Sequence, residues 1–353
     1  MTTTCPPPRT QETRPVKRII YFDLLSITAC VAVVFLHCNT LAHSFQPTQE
    51  WAQALVAEVV FFWAVPIFFM LTGANNMGYR DKYDTKTFLI RRMKKLVIPY
   101  LFWSAALYIY ATIRFSNNTP SISGYVFGLL QNNIEVIYWF FPAIISLTLA
   151  MPVLSILRTH RKLMWYLVGM SVFLTFFMPY LCRLIDIPST ASFFLPVAGG
   201  YVTYAVLGYL LATQEFNNKR IALVCGIAIV CLVVRYGYTY ITSYEMGTTN
   251  RVLFEYNSVF ALFPAAALFL LYKKIPQQGK LQEYSKPITT ISSCCFGVYL
   301  IHKPIINILF IELLGFTYES LFVRTICPLL VFGIACAIVY VIKKIPVARA
   351  LVP

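Results

Sequence analysis

Charge is scarce in this sequence. Only 12% of its 353 residues are Asp, Glu, Lys or Arg, where a soluble domain carries roughly a quarter. Hydrophobic residues make up 58% and aromatic residues 16%, so the chain is expected to be a polytopic membrane protein. Several catalytic signatures are also missing. No glycine-rich nucleotide loop, no HExxH zinc pattern and no GxSxG serine turn occurs, which disfavours an ATP-driven pump or a serine esterase. The ten cysteines include no CxxC pair and lie mostly in apolar runs, among them Cys30, Cys225, Cys231, Cys294, Cys295 and Cys336. They are expected to be small core residues, with no metal or disulfide framework and no bound cofactor. Residues 1–18 are polar and proline-rich with no apolar run ahead of them. A cleaved signal peptide is therefore not expected, and these residues are taken as a disordered tail.

What the chain has in plenty is long apolar runs. Windows of about 20 apolar residues, the length needed to cross hydrocarbon, fall at 19–41, 51–74, 97–114, 134–157, 163–182, 194–213, 219–240, 252–273, 290–312 and 322–343. The expected fold class is all-α, a bundle of about ten transmembrane helices. One membrane domain spans 19–345, and 346–353 form a second short tail. The net charge of +15 would point to nucleic acid in a soluble chain, but here its distribution decides. With the amino terminus inside, 23 of the 29 Lys and Arg fall on the inner side. Both termini are thus expected in the cytoplasm, with a lipid bilayer and not nucleic acid as the charged partner.

Few polar residues interrupt the apolar runs, and each needs a reason, since an ionisable group facing lipid costs several kcal/mol. In the first run, "FDLLSITACVAVVFLHC", residues Asp23, Ser26 and His37 share one helical face. A rise of about 1.5 Å per residue separates Asp23 from His37 by roughly 21 Å, one near each membrane surface. Either this face borders a path, or Asp23 caps the helix start while His37 meets interfacial water. Glu58 lies at a depth similar to that of His37 in the second run. It either pairs with His37, fixing the tautomer and raising the basicity as a triad carboxylate does, or binds a tyrosine or basic residue to hold helices together.

Five stretches in order, "FDLLSITACVAVVFLHC", "VPIFFMLTGA", "IRRMKKLVIPYLFWS", "YWFFPAIISLTLAMPVL" and "FGVYLIHKPI", resemble the acyltransferase 3 family of integral membrane acyltransferases, over nearly the whole chain. The resemblance implies an O-acyltransferase that moves an acyl group, expected to be acetyl, from cytoplasmic acyl-CoA to a hydroxyl of an envelope or exported glycan. It also implies the cytoplasmic membrane of a bacterium. Many members carry Arg where this chain has Ser26, a basic residue thought to bind or orient the donor. The form with a small residue there is similar to a branch found in Gram-positive bacteria.

Such a reaction asks for an anion cradle, a base and a passage. Arg91, Arg92, Lys94 and Lys95 cluster where the coenzyme phosphates can dock, with Arg92 and Lys95, three apart, matching the family's paired basic positions. The same cluster also satisfies the positive-inside rule and attracts anionic lipid. His37 is the expected general base, since histidine titrates near neutrality. His302 is the second candidate, with Tyr299 one turn earlier on its face lining the path. Tyr138 and Trp139 suit either an interfacial belt or stacking on a sugar. The competing expectation is a transporter or flippase of a small polar solute or a lipid-linked sugar, which ten spans with polar groups at both mouths also describe.

Overall fold

A segment surrounded by hydrocarbon must satisfy its backbone polar groups internally, so apolar runs of this length become helices. The computed structural model describes residues 18–115, 119–184, 200–276 and 278–353. In chain order the helices are α1 (Ile20–Cys38), α2 (Gln49–Phe61), α3 (Ala64–Asn76), α4 (Thr85–Phe115), α5 (Ile122–Leu130), α6 (Phe140–Leu157), α7 (Arg161–Ser171), α8 (Met178–Leu184), α9 (Tyr201–Thr213), α10 (Asn218–Met246), α11 (Val259–Lys273), α12 (Lys280–Glu283), α13 (Ser285–Pro304), α14 (Leu321–Thr325) and α15 (Cys327–Lys344). No strand occurs among the described residues. Eight helical stretches are long and apolar enough to cross a membrane, and α9 and α11 are shorter apolar helices. The ten expected spans therefore appear as eight long and two short helices. The amino-terminal tail falls outside the described residues apart from Arg18, as does 194–199 of the sixth expected span.

Two expected spans differ in a way that shapes the site. The second is broken at Phe62 and Trp63, so that α2 and α3 are separate helices. Pro66 stands in the first turn of α3, where a missing N–H leaves no bond unmade. The third starts twelve residues before its expected 97, because Asp84 accepts from the amide of Thr87 at 3.0 Å and begins the helix there. The basic stretch 91–95 is thus the exposed early part of a 31-residue helix. The last residues also fold back onto the bundle: Trp103 Nε1 donates to the Leu351 carbonyl at 3.0 Å, and Val352 is fully buried.

Two packing relations position everything that follows. Helices α3 and α9 cross backbone to backbone, because Gly73 meets Ala205 and Gly208 meets Met70 with no side chain between them. In membranes such small-residue crossings replace the missing hydrophobic driving force with close dispersion contact. Helices α1 and α13 lie side by side and run in the same direction. Thr289 donates to Asp23 at 3.3 Å, Cys30 donates to the Cys295 carbonyl at 3.5 Å, and the His37 and His302 rings are 5.2 Å apart. The offset stays at 265 or 266 residues along the pair, so the polar line of α1 is matched residue for residue by one on α13.

Candidate active site

One end of the α1/α13 pair opens into a cavity of about 720 Å³. Its walls come from α1 (Phe22, Asp23, Ser26), α3 (Phe68, Leu71, Thr72, Asn75, Asn76), α4 (Arg92, Leu96), α6 (Phe140, Ile144) and α13 (Ser292, Phe296). Arg18 and Lys82 stand at the same cavity. A second hollow of about 220 Å³ shares Thr72, Asn76, Arg92, Leu96, Ile144 and Phe296 with the first and adds Lys95 and Thr148. A third, of about 510 Å³, continues past Lys95 to Lys94, Lys343 and Arg349. Arg18 borders the first hollow and Pro353 the second, so the two ends of the described chain meet at this end of the bundle.

The electrostatics favour an anion. Asp23, the carboxylate in the first cavity, is already held: Arg18 donates to both its oxygens, at 2.7 and 2.8 Å, and Thr289 adds a third bond. The paired carboxylate holds the Arg18 guanidinium above its ordinary pKa. Lys82 and Arg92 have no carboxylate partner in the cavity lining, and Lys95 follows next door. Guanidinium and ammonium groups in such a setting suit phosphate oxygens. Within the basic stretch the packing of α4 separates the four residues. Arg92 and Lys95 turn toward the cavities, while Arg91 lies over the Tyr83 ring at 4.6 Å and Lys94 borders the flanking hollow. Ser26 lines the main cavity, facing the space a longer basic side chain would fill.

At the other end of the pair, His302 is fully buried. Its Nδ1 lies 3.1 Å from the Val298 carbonyl and 2.8 Å from that of Tyr299. Both are acceptors, so Nδ1 carries the proton and Nε2 is a bare base. Nε2 has no hydrogen-bond partner. Tyr299 is buried and donates its hydroxyl to the Ile137 carbonyl. Its ring sits 5.3 Å from Phe140, a cavity wall, and 5.7 Å from His302. One aromatic layer therefore separates the cavity from the histidine pair.

For two residues the packing favours one of the readings that the sequence leaves open. Glu58 is buried but does not stand beside His37. It lies 3.8 Å from His43 and 3.8 Å from Arg235, because α2 packs against α10, which carries Arg235. Arg235 is fully buried, 3.7 Å from the Phe62 ring centre and 4.9 Å from that of Phe254. Burial beside Arg251 and Arg235 pushes His43 down to about 4, so its ring is neutral and its contact with Glu58 is not an ion pair. Tyr138 does not stand open to a sugar: it is buried and donates to the Leu300 carbonyl at 2.8 Å. That carbonyl lacks its helical donor because the residue four ahead is Pro304. Trp139 is half-buried, stacked on Tyr256 at 5.4 Å.

The cavity also draws on residues that the sequence reading passed over. Thr72, Asn75 and Asn76 share a face of α3 at spacings of three and four, a polar triplet closing an apolar run. That spacing is a readable signal, of the same kind as Asp23 and Ser26. Arg18, Lys82 and Phe296 carry no such local mark, and only the packing of their elements brings them in.

The chain matches the model of the acyltransferase domain family over residues 19–342. Among curated proteins it is 26% identical over 332 residues to a serine/alanine racemase of Enterococcus gallinarum, covering 86% of this chain and 45% of that one. It is 26% identical over 313 residues to an amino-acid racemase of Enterococcus faecalis, covering 81% and 41%. The chain thus spans less than half the length of these curated relatives. No solved structure matches it significantly.

Proposed function

The chain belongs to the acyltransferase 3 family; from that premise we propose that it is a multi-pass membrane acyltransferase that moves an acetyl group from acetyl-CoA to a hydroxyl of an envelope or exported glycan, in the cytoplasmic membrane of a bacterium. The observation that carries the reading is the cavity at the basic end, where Arg92 and Lys82 stand with no carboxylate of the cavity lining paired to them, beside Ser26 and the Arg18–Asp23 pair. In this reading Arg92 and Lys95 hold the donor phosphates, and Lys94 and Arg91 draw the polyanion from outside. The acyl arm extends along the α1/α13 seam toward the histidines. His37 takes the proton from the acceptor hydroxyl as it attacks the thioester carbonyl; the C–O bond forms, the C–S bond breaks, and the proton passes to the leaving thiolate. Asp23, through Arg18 and Thr289, holds the start of α1 in register with α13. Tyr299 and Trp139 border the passage. Glu58, paired with Arg235, fixes α2 against α10 and does not act on the base.

The test is transfer of radiolabel from acetyl-CoA to the extractable glycans of membranes bearing the protein, with His37→Ala alongside. Label with the native chain and none with the variant is expected. Equal labelling by both would remove His37 from the reaction, and no labelling by either would remove the donor or the acceptor class.

A second reading, passage of a small polar solute, is favoured by the amino-acid substrates in the names of the two relatives. Uptake of labelled serine or alanine into vesicles bearing the protein tests it.

A further inference from the structure

The chemistry at the histidine end is incomplete with His37 alone. When a neutral imidazole removes a proton it becomes a cation, and in a site shielded from water that cation needs a partner. The carboxylate expected to supply it, Glu58, faces Arg235 and His43 instead. The ring beside His37 is that of His302, ring centre to ring centre 5.2 Å with the planes tilted by 34°, while Lys303 and His43 are the other basic groups near it. His302 is fully buried on a helix whose register with α1 is fixed at Asp23 and Cys30. Its Nδ1–H is committed to the Val298 and Tyr299 carbonyls, which sets the tautomer as a carboxylate does in a Ser-His-Asp triad. That leaves Nε2 as a buried lone pair with no donor. A buried acceptor without a partner is uncommon and asks for a reason.

We propose that His302 is the positioning residue of the reaction: its Nε2, unbonded in this structure, accepts a hydrogen bond from the ring N–H of His37 when the neighbouring His37 ring turns toward it during the reaction, aims the opposite nitrogen of His37 at the acceptor hydroxyl, and shares the proton that His37 takes up. This rests on His37 being the base of the proposed function. No proton is created or lost. The hydroxyl proton moves to one nitrogen of His37, the proton on the other nitrogen is shared with His302, and the first leaves with the thiol. Helix α13 thus acts as a backbone counterpart of the triad carboxylate, with two carbonyls in place of one acid.

The experiment compares native protein, His37→Ala and His302→Asn, each purified in detergent and assayed with acetyl-CoA. Asparagine places an amide N–H near the position of Nδ1 and so retains the bonds to Val298 and Tyr299, but it has no counterpart of Nε2. The expected result is a kcat lowered about 100-fold, within the range for a positioned proton-transfer group, with the KM for acetyl-CoA unchanged within twofold. Native kcat in a folded His302→Asn protein would overturn the inference while leaving the proposed function standing. Loss of transfer in the native protein itself would instead sink the proposed function. Should His302→Asn fail to fold, nitrogen NMR of histidine-labelled native protein decides. The His302 Nε2 signal is expected to be that of an unprotonated nitrogen and to shift when His37 is replaced by Ala. A protonated Nε2, or one indifferent to that replacement, would overturn the assignment.

Discussion

Adding one methyl group to Gly73 should damage both the stability of this protein and its grip on the donor. A Cβ built on Gly73 falls 1.9 Å from the Ala205 carbonyl oxygen and 2.4 Å from its carbon. Ordinary contact begins at 3.4 Å, so the shortfall is about 1.5 Å. Both obstacles are backbone atoms, so no side chain can swing away and α3 must separate from α9. Overpacking of this kind costs about 1–3 kcal/mol where the core can adjust, and more where it cannot. The upper end applies, because a 1.5 Å gap also forfeits much of the dispersion contact along the crossing. The same movement displaces Thr72, Asn75 and Asn76, which lie on α3 beside Gly73 and line the main cavity. The assay is thermal unfolding in detergent for native protein, Gly73→Ala and Gly169→Ala, with the KM for acetyl-CoA measured on each. Gly169 has nothing within 4 Å of its would-be Cβ, so alanine there should be neutral or stabilise by roughly 0.5–1 kcal/mol through helix propensity. If Gly73→Ala melts together with Gly169→Ala and binds donor equally well, the backbone crossing does not shape the cavity and the reasoning fails.

Three further outcomes are expected. Arg92→Gln should raise the KM for acetyl-CoA roughly tenfold to a hundredfold, the worth of one hydrogen bond to a charged group at about 1.5–3 kcal/mol, with a smaller change in kcat; an unchanged KM would remove Arg92 from the cradle. Tyr138→Phe should destabilise by about 1–3 kcal/mol by leaving the Leu300 carbonyl without a donor; in a Pro304→Ala background, where an N–H is restored four residues ahead, the loss should shrink, and an unchanged loss would show that the bond does not compensate for the proline. His43, held at about 4 against an ordinary 6.5, makes the unfolded chain bind a proton that the native one refuses between these values, so stability should be greatest above pH 6.5 and fall as pH drops toward 4. Unfolding followed across that window should show a shallower fall in His43→Gln, and identical curves would mean that His43 is not the titrating group.

Much of this architecture was legible from composition and periodicity. A lipid environment admits few secondary structures, and for that reason a count of apolar windows located every membrane helix that lies wholly within the described residues. The same physics made Asp23, Ser26 and His37 readable, since any ionisable residue in a span needs a purpose, and helical geometry alone puts these three on one face. The turn of a single helix puts Lys95 within about 60° of both Arg91 and Arg92, and only the packing of α4 decides that Arg92 lines the cavity while Arg91 lies over Tyr83. What sequence could not supply was partnership between helices. Glu58 and His37 lie at similar depth, yet the packing of α2 against α10 gives Glu58 to Arg235. His302 meets His37 only because α13, some 265 residues later in the chain, lies parallel to α1, and nothing local to either helix encodes that neighbour. Period and polarity are properties of one segment, whereas azimuth and register between segments are settled by close packing, here by glycines crossing backbone to backbone and by one proline whose missing N–H draws a tyrosine from another helix.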